Sequence, residues 1–402
     1  MSPLAKAEAQ TVAVADALGR VLAEDVVAAI DVPPADNTSM DGYAVRCADV
    51  TRTGTHLSVS QRLPAGVVGT ALQPGTAARI FTGAQVPPGA DAVVMQEDCS
   101  VEAGDAAGGV TVNAVPQPGQ WIRRRGEDVR AGSTVLAAGT RLSPQAMGLA
   151  ASVGVSRLLV ARPPRVALFS TGDELVMPGE VPPDQMRPGA IYNSNRYTLR
   201  GLLEALGCAV SDLGIVPDRL DATRAALRAA AEGHDLILTS GGVSTGEEDH
   251  LRPAVTAEGH LDLWQIAMKP GKPLAFGAVR RGAGGGGGGE ALFIGLPGNP
   301  VSSFVTFAIV VRPLLLRLMG ASHVAPRTLA LRADFDWPRP DKRREFLRVR
   351  LNAEGALDLF ASQSSGVLTS AVWADGLVDN PAGQAIARGD TVSYLPLSEL
   401  VS

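Results

Sequence analysis

The central part of the chain alternates short apolar runs with segments of helical periodicity. The apolar runs at residues 166–169, 209–216 and 236–238 predict buried strands, and residues 192–206 and 222–231 predict helices. Further strands are predicted at residues 264–267, 274–279 and 292–294, before a helix that starts near Val301. Strands that alternate with helices predict a parallel, doubly wound α/β sheet.

Small and acidic residues follow three of these strands, at the point where each strand ends. They are Thr171, Gly172, Asp173 and Glu174 after the first strand, Asp218 after the second, and Gly241, Gly242, Ser244 and Asp249 after the third. Ligands of doubly wound sheets bind at the carboxyl ends of the strands, so we expect these residues to meet in one site.

The loop after residues 236–238 has the composition of a phosphate-binding turn. Gly241 and Gly242 allow a sharp turn with no Cβ between the backbone and a ligand. Ser244 and Thr245 can cap the next helix, whose first N–H groups favour an anion. Asp249 follows about one helical turn later, where a carboxylate could hold a divalent metal. An ordinary strand-to-helix turn is the alternative.

Two more loops carry candidate polar groups. Residues 268–273 carry Lys269 and Lys272 in a short loop that two prolines stiffen, which suits either a solvated lysine pair or an oxyanion site. A second glycine loop with Pro297, Asn299 and Pro300 opens the helix at Val301. The glycine-rich tract at residues 282–289 predicts a surface insertion in a hairpin.

The N-terminal region has a different pattern. Residues 4–30 are rich in Ala, Leu, Val and Glu, and they predict a helix to about Leu18 that stops at Gly19. Residues 142–153 predict another helix, with Ser143 as its cap.

The remaining regions predict β structure. Residues 43–117 contain short β-type runs separated by Gly and Pro, which predicts a small all-β domain. After Gly320 strands are expected at residues 329–333, 345–351, 357–360 and 391–395. The predicted domains are residues 1–40 with 120–160, residues 41–119, residues 161–320 and residues 321–402.

Several polar residues in the flanking regions have two interpretations. Asp41 is more simply the Asp of an Asp-Gly turn than a functional carboxylate. The three arginines at residues 123–125 stand beside Glu127 and Asp128, which favours an ion-paired turn over an anion site. Arg344 and Ser365 are also compatible with plain turns.

Composition narrows the class of protein. With 402 residues the chain is too long for one core, so about two to four domains are expected. A net charge of -5 makes general nucleic-acid binding unexpected. The three scattered cysteines and the absence of a basic-then-apolar opening segment favour a reducing cytoplasm. The apolar residues 304–319 are interrupted by Arg312 and Pro313, which predicts a core helix and no membrane span.

Taken together, the motifs occur in the order known from one family. They are residues 39–44 (Ser-Met-Asp-Gly-Tyr-Ala), 81–84 (Phe-Thr-Gly-Ala), 125–128 (Arg-Gly-Glu-Asp), 170–175 (Ser-Thr-Gly-Asp-Glu-Leu), 241–244 with Asp249, 269–273 (Lys-Pro-Gly-Lys-Pro) and 296–300 (Leu-Pro-Gly-Asn-Pro). Over nearly its whole length the chain resembles the molybdopterin molybdenumtransferase family, MoeA, which includes the gephyrin E domain.

The resemblance implies a fold, a reaction and partners. Family members insert molybdenum from molybdate into adenylylated molybdopterin and release AMP, usually with Mg²⁺. They are elongated homodimers of four-domain subunits, in which a molybdopterin-binding α/β domain is flanked by small β domains. Each site lies between the α/β domain of one subunit and parts of the other. Transient contacts with the molybdopterin adenylyltransferase and with molybdoenzyme chaperones are expected too.

The resemblance also implies roles for matched residues. Asp218 and Asp249 would hold the metal and pyrophosphate, and Glu174 would act at the pterin end or transfer a proton. Phosphate contacts are expected from Gly241, Gly242 and Ser244, and contacts to molybdate or the leaving group from Lys269 and Lys272. Oxyanion contacts are expected from Arg344 and Ser365, and the partner subunit would contribute Asp41, Thr82 and Asp128. Further substrate contacts are expected from Thr171, Gly172, Asp173, Pro297, Asn299 and Pro300.

Other functions share some of these features. The adenylyltransferase of the same pathway has a similar α/β domain and glycine loop, but it lacks the flanking domains and the Met-Asp-Gly-Tyr motif at residues 40–43. A non-enzymatic scaffold, as gephyrin also is, would be expected to carry an appended domain or repeat. A generic sugar- or nucleotide-binding α/β protein would leave the lysines, acids and β domains without a common purpose.

Overall fold

A mixed sheet forms the centre of the protein. The computed structural model describes residues 8–101, 108–243, 250–282 and 289–401. The six strands of the central sheet lie in the order Ala209–Val216, Arg165–Thr171, Leu236–Ser240, Glu290–Leu296, Pro273–Arg280 and Gly259–Gln265. The first four strands are parallel and the last two are antiparallel. The expected α/β sheet is therefore confirmed, with an antiparallel hairpin at one edge.

Helices cover both faces of this sheet. They are Ser194–Ala205, Leu220–Ala231, Leu251–Glu258 and the continuous segment Pro300–Thr306, Phe307–Val311 and Arg312–Leu318. Val166 and Leu168 pack into one core cluster, whereas Ala167 and Phe169 pack into another. Alternate residues of one strand thus reach cores on opposite faces, which explains why the run at 166–169 is apolar at every position.

The helix Pro300–Leu318 lies inside the protein. It is long and apolar enough to cross a bilayer, but 72% of its apolar window is buried against the rest of the chain. The prediction of an interrupted core helix is confirmed, because Phe307–Val311 forms a π turn directly before Arg312 and Pro313. Proline has no N–H to donate to the preceding turn, and a wider turn accommodates its ring.

The predicted helix at the N-terminus is wrong over the residues that the structure describes. Ala9–Ala13 is a strand that pairs antiparallel with Arg157–Ala161, and Val14–Asp16 is a short 3₁₀ turn. The local alanine content favours a helix, but pairing with a distant strand overrides that preference. Val26–Val27 and Thr134–Leu136 form a second small pair. The helix Pro144–Ser152 is confirmed, and Ser143 Oγ accepts a hydrogen bond from Ala146 N at 3.2 Å.

Residues 42–112 form the expected all-β unit. Its six strands lie in the order Ala92–Met95, Gly42–Val45, Thr76–Ile80, Thr55–Leu63, Gly109–Val112 and Cys99–Ser100. A two-stranded connection, Asn37–Thr38 with Ile122–Arg123, joins this unit to the N-terminal region.

The C-terminal sheet takes one strand from outside its own region. Its strands are Met268–Lys269, Arg344–Leu351, Gly376–Asn380, Thr391–Pro396 and Leu329–Arg332, with Leu357–Leu359 beside the second. Short helices at Thr369–Trp373 and Leu397–Leu400 complete this region. The strand predicted at residues 264–267 lies earlier, at Gly259–Gln265, because it pairs with Pro273–Arg280. Met268–Lys269, expected in a loop, pairs parallel with Arg344 and Glu345.

Candidate functional site

A cavity of about 700 Å³ opens at the carboxyl edge of the central sheet. The predicted site residues in its wall are Thr171, Gly172, Glu174, Asp218, Gly241, Gly242, Pro297, Asn299 and Pro300. The expected convergence of three strand ends is therefore confirmed for these residues, and the second glycine loop joins them. Ser244 and Asp249 lie outside the described residues, as does Thr245.

The glycine pair after Leu236–Ser240 forms the floor of the cavity. Gly241 and Gly242 have φ values of +93° and +66°, which side chains rarely adopt. A Cβ on Gly241 would lie 2.5 Å from Thr171 O, and one on Gly242 would lie 2.7 Å from Thr171 Oγ1. Only glycine therefore allows these two strand ends to approach each other so closely.

Two acidic residues, Glu174 and Asp218, also line the wall. Glu174 is exposed, and its carboxylate lies against Gly172, where an added Cβ would be 2.6 Å from Glu174 Oε2. Asp218 is half-buried, and its N–H donates to Asp173 Oδ1 at 3.2 Å. Asp173 thus holds the Asp218 loop in place rather than lining the cavity itself.

Sequence reasoning missed two asparagines in this wall. Asn195 is buried and donates from Nδ2 to Ser240 Oγ and to Gly298 O, both at 2.8 Å. It therefore ties the end of one strand to the second glycine loop. Asn193 caps the helix Ser194–Ala205 by accepting from Arg196 N at 3.2 Å. An asparagine directly before a helical pattern is a cap signal, which could have revealed Asn193.

Two buried polar groups in the wall have no hydrogen-bond partner within the described part of the chain. They are Thr171 Oγ1 and Asn193 Nδ2, in residues that are 3% and 2% exposed. An unsatisfied buried donor or acceptor costs about 1–3 kcal/mol, so such groups are normally paired. Both residues line the cavity, and a polar ligand bound there would supply the missing bonds.

The two predicted lysines lie outside the cavity wall. Lys269 Nζ is 3.2 Å from Glu345 Oε1 and 3.5 Å from Asp341 Oδ2. Glu345 is fully buried and also accepts from Trp337 Nε1 at 2.8 Å. Lys272 is exposed. The ammonium of Lys269 is thus held by carboxylates between the central and C-terminal sheets.

Arg344, the arginine selected from the sequence on the strand Arg344–Leu351, is already bound to a carboxylate. Arg344 is exposed and donates to Asp379 Oδ1 at 2.6 Å. Arg348 is buried and donates to Ser370 Oγ, Phe346 O and Ser364 O at 3.2, 3.2 and 3.4 Å. Burial lowers the pKa of Arg348 to about 10. Arg344 and Arg348 are both arginines on one strand face, so the sequence does not distinguish them.

Arg348 is connected to the cavity through the loop that follows. Ser364 O accepts from Arg348, Ser365 O accepts from Val301 N at 3.0 Å, and Gly366 lines the cavity. This loop therefore lies against the first turn of the helix that starts at Pro300. The buried guanidinium contacts Ser364, which lies two residues before Gly366 of the cavity wall.

The remaining predicted residues belong to other parts of the chain and do not line the cavity. Asp41 Oδ1 accepts from both N and Oγ1 of Thr82, each at 2.7 Å. Both bonds lower the pKa of Asp41, and the bond from the Thr82 backbone N–H has the larger effect. Asp41 is thus more than the turn residue that its Asp-Gly sequence favours, since its carboxylate fixes a second loop.

The turn at residues 124–128 is held by ion pairs, as expected, but the acids are Asp36 and Asp31 and not the neighbouring Glu127 and Asp128. Arg124 NH1 lies 2.7 Å from Asp36 Oδ2, and Arg125 Nε lies 2.5 Å from Asp31 Oδ2. Asp128 is exposed at the end of this turn.

The acidic residues of the wall suit a magnesium ion that also binds substrate. Within the described residues no three His, Cys, Asp or Glu side chains gather into a metal site. Glu174 and Asp218 nevertheless both line the cavity. Mg²⁺ commonly uses one or two carboxylates together with substrate phosphates and water. The donor set of the wall therefore fits this ion.

Comparison with known proteins identifies relatives over the whole chain. The family models that match are "MoeA N-terminal region (domain I and II)" at residues 1–154, "Probable molybdopterin binding domain" at residues 167–317, and "MoeA C-terminal region (domain IV)" at residues 330–397. Molybdopterin molybdenumtransferase of Haemophilus influenzae is 38% identical over 394 residues, covering 96% of this chain and 93% of that protein. Molybdopterin molybdenumtransferase 2 of Mycobacterium tuberculosis is 38% identical, covering 92% and 90%.

Solved structures agree with these relatives. One MoeA structure from Pyrococcus horikoshii has a TM-score of 0.81 at 28% identity, covering 97% of this chain and 94% of that one. Another from the same organism has a TM-score of 0.74 at 30% identity, covering 97% and 95%. The sequence relatives, the family models and these structures together show that the chain belongs to the molybdopterin molybdenumtransferase, or MoeA, family.

Proposed function

We propose that this protein inserts molybdenum into adenylylated molybdopterin, with release of AMP, to give molybdenum cofactor. The observation that supports this most directly is the cavity at the carboxyl edge of the sheet. It combines a glycine floor, two carboxylates and two buried polar groups that have no hydrogen-bond partner among the described residues. A phosphoanhydride needs backbone and side-chain donors for its oxygens, and acids for metal and proton transfer.

The wall has distinct groups for the ends of such a substrate. We assign the phosphates to the Gly241 and Gly242 backbone and to Asn193 Nδ2, which lacks a partner in the described residues. Thr171, Gly172, Pro297, Asn299 and Pro300 would shape the cavity around the rest of the substrate. Glu174 is exposed in the wall and is our candidate for proton transfer near the pterin. Ser244 stays a phosphate contact by family resemblance.

A divalent cation, Mg²⁺ in our proposal, would be held by Asp218 and Asp249. When bound, such an ion neutralises negative charge on the phosphoanhydride. Asp173 contributes indirectly, because it accepts the Asp218 N–H and so fixes the loop that carries this carboxylate. Calorimetric titration with Mg²⁺ and AMP would test this assignment without turnover. Asp218→Asn should weaken Mg²⁺ binding, whereas unchanged affinity would refute the metal role.

We propose that molybdate binds beside the Ser365 loop. Arg348 is buried and bonded only to neutral oxygens in the hydrogen bonds observed, so its charge is available to an oxyanion. Arg344 would act at longer range, since Asp379 already holds its guanidinium. Lys269 and Lys272 remain candidates for this anion. Lys269 would first have to exchange its contacts with Glu345 and Asp341.

We further propose a cytoplasmic homodimer in which Asp41, Thr82 and Asp128 complete the site of the partner subunit. The support is that these residues lie outside the cavity of their own chain, while Asp41 and Thr82 are locked together. Transient contacts with the adenylyltransferase and with molybdoenzyme chaperones would then pass substrate and product along.

Complementation between subunits tests the shared site. Mixed dimers of Asp41→Asn and Asp218→Asn chains should recover turnover, because one of the two sites would then contain neither substitution. Dimers of either variant alone should stay inactive. Mixed dimers without activity would place all catalytic groups in one subunit.

The function itself is tested by AMP release from adenylylated molybdopterin, with Mg²⁺ and with or without molybdate. Release should depend on molybdate and fall at least about a hundredfold in Asp218→Asn or Asp249→Asn. Asp221→Asn is a matched control, because Asp221 is exposed three residues beyond Asp218. A folded dimer that releases no AMP under any condition would refute the proposal.

The competing functions have less support. The adenylyltransferase is not favoured, because the match to molybdenumtransferases covers 96% of this chain, including both flanking regions. It would make adenylylated pterin from ATP with release of pyrophosphate, so incubation with ATP and molybdopterin would detect it. A scaffold without enzymatic activity would leave the glycine floor without a ligand, and likewise the two polar groups that lack a partner in the described part of the chain.

A further inference from the structure

A second cavity, of about 530 Å³, lies at the opposite edge of the central sheet. Its wall includes Pro163 and Gly207, which lie two residues before the parallel strands Arg165–Thr171 and Ala209–Val216. The cavity described above opens where these same strands end. A seven-residue strand spans about 20 Å, so the two cavities are separate.

Elements from two regions build this second cavity. Gly19, Arg20 and Arg141 come from the N-terminal region, and residues 204–207 form the end of the helix Ser194–Ala205 and the turn after it. A ligand between them would contact both regions at once.

Three arginines line the wall, and two of them have no carboxylate partner in the described ranges. Arg20 NH2 donates to Ala161 O at 2.6 Å, and Arg141 Nε donates to Gly19 O at 3.2 Å. Arg162, by contrast, is neutralised by Asp235 through two hydrogen bonds of 2.7 and 2.8 Å. The one acid of the wall, Glu204, is 2.7 Å from Arg200. The cavity therefore carries uncompensated positive charge.

Burial supports this interpretation. Both Arg20 and Arg141 have their pKa lowered by burial, since a guanidinium loses hydration there. Partly desolvated cations that lack a counter-charge favour a bound anion.

The rest of the wall is apolar. Leu142, Leu206 and Met319 are buried there, and Leu18 stands at the rim, 60% exposed. Small-molecule sites are mostly apolar with a few convergent polar groups, and volumes of about 300–1,000 Å³ are typical.

We propose that this cavity binds a small organic anion, with its phosphate or carboxylate on Arg20 and Arg141 and its apolar body against Leu142, Leu206 and Met319. This site is separate from the proposed catalytic cavity, because the two cavities share no lining residue.

Isothermal titration with phenyl phosphate, benzoate, inorganic phosphate and phenol tests the proposal. Phenyl phosphate or benzoate should bind at least about tenfold more tightly than phenol or inorganic phosphate. The first two probes combine an anionic group with an apolar ring, whereas phenol lacks the anion and inorganic phosphate lacks the ring. The tighter of the two identifies the head group.

Variants locate the binding. Arg141→Gln should weaken it at least about tenfold. Leu18→Glu should do the same by placing a carboxylate at the exposed rim, where folding is unaffected. Arg157→Gln, at an exposed arginine outside the cavity, should change nothing. Binding that is unaffected by both Arg141→Gln and Leu18→Glu, phenol binding as tightly as the anions, or no binding of any probe would overturn the proposal.

Discussion

Replacement of Gly241 by alanine would test whether the close approach of two strand ends shapes the catalytic cavity. The new Cβ would lie 2.5 Å from Thr171 O, a separation that real Cβ atoms essentially never show. A side chain at a φ of +93° adds backbone strain of about 1–2 kcal/mol. With the clash, Gly241→Ala should cost about 2–4 kcal/mol in the free energy of unfolding.

Calorimetry and AMP release measure the two consequences. The α/β unit should melt about 5–12 °C lower, and kcat/KM should fall about 10–100-fold because the glycine floor must move. Gly298→Ala is the matched control in the same cavity wall. A Cβ there meets nothing nearer than Gly241 Cα at 3.9 Å, so its melting temperature should change by less than about 2 °C. Equal melting temperatures for the two variants would refute the reasoning.

Three further predictions follow from individual contacts. Asn195→Leu removes the donors to Ser240 Oγ and Gly298 O, so calorimetry should show about 2–3 kcal/mol of lost stability and kinetics a raised KM; an unchanged KM would remove Asn195 from the site. Arg348→Lys should weaken molybdate binding more than Arg344→Lys in equilibrium titrations, because the exposed arginine is held by a carboxylate; the reverse order would contradict our molybdate site. The Arg343 side chain donates two hydrogen bonds to Asp341, at 2.9 and 2.8 Å, and these bonds lower the pKa of Asp341. The pair therefore stabilises the protein fully above about pH 4, the ordinary Asp pKa, and this stabilisation decreases as the pH falls further. Melting temperatures of Asp341→Asn should accordingly depend less on pH between about pH 4 and pH 2 than those of the wild type, and parallel curves would exclude the pair as the cause.

The sequence predicted the central sheet well because its signals are local. The run at residues 236–238, for example, is apolar and followed by turn residues, and it lies in the strand Leu236–Ser240. The order of parallel strands then placed Thr171, Asp218 and Gly241 at one edge. The N-terminal helix failed because the strand Ala9–Ala13 depends on a partner almost 150 residues away, Arg157–Ala161, that no local pattern reveals.

The choice between neighbouring polar residues also depends on tertiary contacts. Arg344 and Arg348 differ only in that one faces Asp379 and the other is buried under the Ser364 loop. Asn195 acts through a buried bond to Gly298 O, 103 residues away in sequence. The predicted domain limits, the roles of the site residues and the contributions of Ser244 and Asp249 stay predictions.

The strand Met268–Lys269 has a consequence for how the protein can be divided. It pairs with Arg344 and Glu345, and Met268 is only 3% exposed. A fragment that ends at residue 320 would therefore expose Met268, strip Lys269 of Glu345 and leave an open strand edge beside the catalytic cavity. Such a fragment should aggregate or lose order around Pro273, which lines that cavity. The α/β region and the C-terminal sheet thus form one structural unit. A chimera with a relative would have to exchange both regions together.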